Sequence, residues 1–313
     1  MQLDNTTVVK HRKTIAVDSR LKSIRLFHVL LITLIPLMGF FITLILVMAG
    51  NLIEPLDIGL FLGMWFVSGT GITVGFHRHF AHHSFKTSKP LRIVLAIMGC
   101  MAAQGPVIYW VSLHRRHHEN SDQVGDPHSP HLEKESILQL FRGLWYAHIG
   151  WMFNHEFPNP FNYTPDLVGD KTISWVDRLY FFWLFLGLAI PTFMGGVIKG
   201  SWSGAFDGFL WGGLVRLFFT ENFIWSINSI THVYGHRWFN TNEQSRNNIW
   251  LAIPTIGEAW HNNHHAFPKS AKFGLKWWQI DLGYWFIRIL EMFGLVWDVQ
   301  VPTVGMIEAK KIA

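Results

Sequence analysis

Four long apolar runs constrain this chain more than any other feature. They cover about residues 26–49, 56–76, 179–198 and 205–230. An α-helix needs about 20 predominantly apolar residues to cross a bilayer, so each run is long enough to span one. The runs come in pairs. The links 50–55 and 199–204 hold six residues each, room for a hairpin turn and no more. Pro36 lies inside the first run, which membrane helices tolerate. Residues 1–25 are polar and basic, with Lys10, Arg12, Lys13, Arg20, Lys22 and Arg25. A secretory signal would instead begin with a short apolar core and a small-residue cleavage site. Only 15% of the 313 residues are charged, against about a quarter in soluble domains. The expected organisation is a cytoplasmic basic tail over 1–25 and a single membrane domain over 26–313.

Lys and Arg accumulate on the cytoplasmic side of membrane proteins. Six precede the first run, ten lie in the segment between the second and third runs, and eight follow the fourth. The two links together hold only Lys199. Tail, central segment and C-terminus therefore belong on the cytoplasmic side. The apolar stretch 91–111 resembles a further span, but Gln104 and Gly105-Pro106 interrupt it. It is expected to be a buried or interfacial helix. Residues 276–297 form an aromatic, amphipathic stretch. The predicted fold is an all-α integral membrane protein with four transmembrane helices under a cytoplasmic helical cap. A net charge of +5 with dispersed basic residues suits an anionic membrane surface, not nucleic acid.

Histidine clusters mark where chemistry belongs. They read His77-Arg-His79-Phe-Ala-His82-His83, His114-Arg-Arg-His117-His118 and His261-Asn-Asn-His264-His265, with His232 apart from them. Imidazole suits iron, zinc, copper and nickel, whereas magnesium and calcium prefer oxygen. In His-x-x-His-His the side chains fall at i, i+3 and i+4, on one helical face. Two such helices are expected to aim six imidazoles into one space. The first cluster has two registers. Helical spacing selects His79, His82 and His83. The alternative is His77 and His82, five apart and on different faces of an α-helix. Spacing alone leaves both open. Two nitrogens from this cluster, with His232, make nine. That is too many for one tetrahedral zinc and suits two irons with open positions. The clusters follow the second and fourth runs, so the site should sit just above the membrane.

Asp122, Asp126 and Glu258 are candidates to orient ligand imidazoles, and His128 is a structural partner of the same kind. Glu258-x-x-His261 resembles half of a soluble di-iron carboxylate site, which needs two such motifs. No His-Glu-x-x-His of a zincin protease occurs. Arg216, Glu221 and Asn222 are costly in lipid, so they are functional candidates or a helix-packing group. Arg237 and Arg246 could meet a headgroup or a redox partner, or lie on solvated surface. Trp110 and Trp260 are candidate substrate contacts, although most of the 16 Trp and 26 Phe are expected in core and interface positions. His11, His28, His131, His148, His155 and His236 carry no expected role. The glycosylation patterns at Asn5 and Asn162 fall on the expected cytoplasmic side and are discounted. Gly69-Thr-Gly71 lies in an apolar helix, where close packing explains it better than a dinucleotide fingerprint. The one cysteine, Cys100, excludes an intrachain disulfide and a cysteine-ligated iron–sulfur cluster within one chain. Redox chemistry here must draw electrons from outside the chain.

The motifs together resemble the membrane fatty-acyl desaturase family, especially its delta-9, stearoyl-type branch. Gly75-Phe-His77-Arg-His-Phe-Ala-His82 resembles the family's first box. Asp126-Pro127-His128 resembles the Asp-Pro-His after its second box. Asn228-Ser-Ile-Thr-His232, Tyr234-Gly235-His-Arg237 and Gly257-Glu258-Ala-Trp-His261-Asn262-Asn-His264-His265 resemble its later signatures. The resemblance covers roughly residues 60–270. It implies nine metal ligands: His77, His82, His114, His117, His118, His232, His261, His264 and His265. It also implies that Asn228 reaches one metal through water. His79 and His83 stand where the family often has a non-histidine and an Arg. The implied cofactor is two Fe2+, with O2 as co-substrate. The implied reaction places a cis double bond, at the delta-9 position, in an acyl chain carried by coenzyme A or a membrane glycerolipid. Electrons would come from a separate ferredoxin or small cytochrome. A bacterial inner or internal membrane is expected, not the endoplasmic reticulum. A membrane hydroxylase or ketolase uses related boxes and is the alternative enzyme. A metal-binding or metal-transporting membrane protein is the non-enzyme alternative, but its spans should hold more ionisable groups.

Overall fold

The computed structural model describes residues 13–16, 18–131, 136–154 and 156–312. Lys10, His11, Arg12, His155 and the Asn5 pattern lie outside the described residues. Among those described, the chain is mostly helical. Its only paired strands are two short antiparallel ladders, Thr14–Ile15 with Phe157–Pro158 and Lys86–Thr87 with Val296–Trp297.

Three described helices are long and apolar enough to cross a membrane: Ser19–Met48, Pro55–Ala81 and Tyr180–Lys199. The first, α1 (Ser19–Met48), starts seven residues before the expected span, where the Asp18 carboxylate accepts from the Leu21 N–H at 2.8 Å. The second is α2 (Pro55–Thr70), which runs directly into a π-helix over Gly71–Ala81. Pro55 at the first helical position and a capping box between Glu54 and Asp57 start it. The fourth expected run is helical through residues 202–229, ending in α7 (Arg216–Ser229), but is not one of the three. It carries buried Arg216 and Glu221. Lys199, at the end of α6 (Tyr180–Lys199), lies 2.7 Å from Asp207, 3.3 Å from Glu54 and 3.5 Å from Asp57. The two hairpin links therefore meet at one end of the bundle.

The stretch 91–111 is broken where expected. Helix α3 (Lys89–Cys100) ends before Ala103 and Gly105, which have φ of +61° and +99°, and α4 (Val107–Asn120) begins after Pro106. Arg216 closes the α3 side of this break. It donates to the carbonyls of Met101 (2.7 Å), Gly187 (2.7 Å) and Gly212 (3.0 Å). Carbonyls at a helix end lack intrahelical donors, and Arg216 supplies one to Met101. Gly71 lets the π-helix lie directly on α3, because a Cβ there would sit 2.2 Å from the Gly99 nitrogen. Two further helices, α5 (Ile137–Trp145) and α9 (Leu282–Met292), turn apolar side chains outward, among them Phe141, Trp145, Trp285 and Met292. Such faces suit a membrane interface.

Candidate metal centre

The π-helix decides the geometry of the first cluster. A π-helix bonds each N–H to the carbonyl five residues back. The His82 N–H donates to the His77 carbonyl at 3.1 Å in this pattern. Residues five apart then share a face, which an α-helix would not allow. His77 and His82 both enter one group of imidazoles. His79 does not. Its Nδ1 lies 3.3 Å from the Phe85 carbonyl, and its ring packs on Phe80 and Phe85. His83 is exposed and bonds Arg115 at 3.0 Å.

Nine histidines gather into two adjacent groups. His77, His82, His114, His118 and His264 form the first, and His117, His232, His261 and His265 the second. Within each, the nitrogens lie within 4.8 Å of one another. The Nε2 atoms face inward: His82 to His114 at 2.8 Å, His118 to His264 at 2.9 Å, and His232 to His261 at 3.1 Å. Neither His-x-x-His-His box keeps to one group. Helix α4 gives His114 and His118 to the first group and His117 to the second. Helix α8 (His261–Ala266) gives His264 to the first and His261 and His265 to the second. Residues i and i+4 share a face while i+3 points aside, so each helix serves both groups.

Carboxylates hold the outer nitrogens. Glu258 pairs with His77 Nδ1. Asp126 lies 3.0 Å from His117 Nδ1, and Asp122 2.8 Å from His232 Nδ1. Such partners fix ring orientation and tautomer. His128 sits beside this set, with its N–H donating to Asp126 at 3.1 Å and its ring 4.6 Å from that of His117. Burial, then neighbouring histidines, pulls His114, His118, His261, His264 and His265 well below the usual imidazole range. They stay neutral near pH 7, with a lone pair free to ligate. His117 moves the other way. Burial pulls it down, but the Asp126 carboxylate, joined by Asp122 and Glu243, raises it overall. Burial pushes Glu258 up to about 8, against the pull of Arg78.

These residues fit metal ions. The clearest sign is His117, whose Nδ1 is taken by Asp126 and whose Nε2 is buried with no hydrogen-bond partner. It sits among His232, His261 and His265. Leaving a buried polar nitrogen unpaired costs about 1–3 kcal/mol; a bound cation removes that cost.

Three contributors escaped the sequence reading. Glu243 lies 3.7 Å from His265 Nδ1. Arg78, inside the first box, is fully buried and donates to Asp281 at 2.9 Å, with Glu258 at 3.4 Å. Its guanidinium stacks 4.1 Å from the Phe273 ring centroid, and that ring packs on His77 and His264. Asp281 also accepts from the N–H groups of Phe273, Gly274 and Tyr284. Gly283 makes room, since a Cβ there would lie 2.0 Å from Arg78 Nη1. A charged residue within the first box was a usable signal for Arg78. Nothing in the sequence singled out Asp281.

The remaining candidates divide. Trp110 and Asn228 line a narrow cavity of about 70 Å³ that reaches His77, His114, His117 and His261. Its other walls are largely apolar, with Tyr109, Trp151 and Trp225 prominent, and Trp225 donates to Gln104 at 3.2 Å. Trp260 is buried away from it and donates to the Ile280 carbonyl. Arg237 bonds Thr241 and Gln244 within its own loop, and Arg246 reaches the Gly235 carbonyl at 3.4 Å. Asn222 meets His148 at 3.2 Å. His131 contacts the His232 carbonyl at 2.8 Å.

A mostly helical chain with membrane-length helices and two imidazole groups at an apolar cavity defines a class of membrane metalloprotein. The chain belongs to the fatty acid desaturase family, whose model matches residues 55–297. It is thus an oxidoreductase of lipid metabolism. It is 56% identical over 303 residues to a hex-5-enoyl-[acyl-carrier protein] acetylenase of Moorena producens, covering 96% of this chain and 94% of the relative. It is 40% identical over 238 residues to an sn-1 stearoyl-lipid 9-desaturase of Synechocystis sp., covering 75% and 68%. An acyl-CoA 5-desaturase of Anemone leveillei is 37% identical over 237 residues, covering 74% and 68%.

Proposed function

We propose that this chain is an oxygen-dependent fatty-acyl desaturase whose nine clustered imidazoles hold two irons, with Asn228 reaching one of them through water. The carrying observation is that groups of five and four imidazoles border one apolar cavity. Iron bound there would supply the O2-dependent oxidation that removes two hydrogens from neighbouring methylenes. The chain's own residues do the rest. Asp122, Asp126 and Glu258 hold the rings. The aromatic walls exclude water and fix which carbons face the imidazoles. A saturated chain offers no functional group near the reacting carbons, so selectivity rests on positioning.

Residues 202–229 serve as the fourth span in this reading, and the clusters sit in a cytoplasmic cap. The host is a bacterial inner or internal membrane, and a separate ferredoxin or small cytochrome supplies electrons. For the substrate, the 56% relationship over nearly the whole chain favours a short acyl chain on an acyl carrier protein. The second reading is the 9-position of a stearoyl lipid, favoured by the Synechocystis relative. The deciding experiment gives the purified, iron-loaded protein hexanoyl and hex-5-enoyl groups on acyl carrier protein and, separately, stearoyl glycerolipid. Alkene or alkyne product from the carrier-bound chains supports the first reading. A 9-alkene from the lipid supports the second. Hydroxylated chains would overturn both and promote a hydroxylase.

A further inference from the structure

The imidazole groups have two different faces. His77, His114, His117 and His261 line the apolar cavity. His82, His118 and His265 line a separate cleft of about 460 Å³, whose walls include Asn240, Thr241, Asn242 and Lys310. No described residue lines both. The cleft reaches both groups, since His82 and His118 belong to the first and His265 to the second. A neighbouring hollow shares Ala266, Pro268 and Lys310 with it and adds exposed Lys269. The cleft's one acidic side chain, Glu243, is buried and bonded to Ser245. Its other base, Arg115, is paired with Asp166 at 2.7 Å. Among the described residues lining the cleft and the hollow, the exposed charges are Lys310 and Lys269, and the one carboxylate, Glu243, is buried.

We propose that this polar cleft is the docking site of a small, acidic one-electron carrier. The assignment rests on the desaturase reading above. Each turnover converts a –CH2–CH2– unit, O2, two electrons and two protons into –CH=CH– and two waters. The two electrons arrive one at a time from two reduced carriers, each of which leaves oxidised. The acyl chain fills the apolar face, so a carrier must approach from the other side. At the cleft it meets imidazoles of both groups with no intervening layer of protein. A positive rim favours an acidic partner, and complementary charge speeds encounter.

The test uses the single, buried cysteine. Cys100 is inaccessible, so Asn242→Cys, at an exposed rim position, can be labelled alone with a bulky maleimide. The probe is a [2Fe–2S] ferredoxin. Labelling should slow ferredoxin-driven turnover about tenfold or more and raise the KM for ferredoxin. Iron content, and single-turnover alkene formation after dithionite reduction, should not change. Lys269→Glu should weaken ferredoxin binding several-fold at low salt. Full ferredoxin-driven turnover by the labelled protein would overturn the site, and unchanged binding by Lys269→Glu would overturn the acidic partner. If the unlabelled protein makes no alkene even after dithionite, the desaturase reading itself falls and the proposal with it.

Discussion

His77 and His264 are 187 residues apart in sequence, yet their Nε2 atoms lie 3.0 Å apart. One comes from the π-helix that ends a membrane-length segment, the other from a short helix in the C-terminal third. The contact closes the first group across the whole domain. His264→Ala removes one nitrogen from the five-membered group and leaves the other group complete. Bound iron should fall from about two to about one per chain, with desaturation lost. Metal analysis beside product analysis checks this. Full iron and full activity in this variant would refute the two-group site.

His77→Ala and His79→Ala should separate cleanly although the residues are neighbours. The first removes an imidazole held by Glu258 inside the group, so iron and activity should both drop. The second removes a ring packed on Phe80 and Phe85. It should cost about 0.5–3 kcal/mol of stability and keep iron. The reverse pattern would restore the register that α-helical spacing selects.

That register shows where sequence reasoning reached its limit. Hydrophobic runs placed the starts of α2 and α6 within one residue and that of α1 seven residues late, because apolar length and composition mark a helix's middle better than its capped end. Pro106 and the residues before it gave the break between α3 and α4. The carboxylates Asp122, Asp126 and Glu258 were legible because they lie close in sequence to the second and third boxes. The His77–His82 pairing could not be derived from a period of 3.6, since a π-helix widens each turn. The sharing of each box between two groups was equally hidden. It depends on where α4 and α8 lie relative to each other, which no local pattern encodes. Asp281 belongs to the same class, because its partners Arg78 and Phe273 are brought to it only by the tertiary fold.

Asp281 accepts four hydrogen bonds, one from Arg78 and three from backbone N–H groups. Asp281→Asn takes the nearer carboxylate from buried Arg78 and leaves it only Glu258 at 3.4 Å. Breaking a buried pair on one side costs about 3–5 kcal/mol. Because Arg78 and Phe273 back His77 and His264, the first group should also release iron to a chelator faster than wild type. Arg288→Gln, which removes an exposed side chain paired with Glu291 on α9, serves as control. Thermal melting and chelator-driven iron release report the two effects separately, and an unchanged release rate would confine Asp281 to a purely structural role.

Acid should destabilise the metal-free protein in a defined window. His114, His118, His261, His264 and His265 are all held below the ordinary imidazole value of 6.5. A depressed folded-state pKa gives stability that is complete above the unfolded value and is lost as pH falls below it towards the folded value. At pH 5.5 the unfolded chain has taken up nearly one proton per site that the folded chain refuses, costing about 1.4 kcal/mol for each such imidazole. His117 is raised, so it works in the opposite sense. Its contribution is complete below 6.5 and is lost as pH rises through its folded value. His77, His79 and His82 are lowered too, and these sites outnumber the raised His117 and Glu258, which leaves a net loss on acidification. The melting temperature of the metal-free protein in detergent should hold steady from pH 8 to about 7 and fall steeply below 6.5. In the His117→Gln variant the fall should be steeper still, because an opposing site is gone. A flat profile down to pH 5 would mean that these imidazoles are solvated, and that the buried, neutral donor set is not what holds the metal.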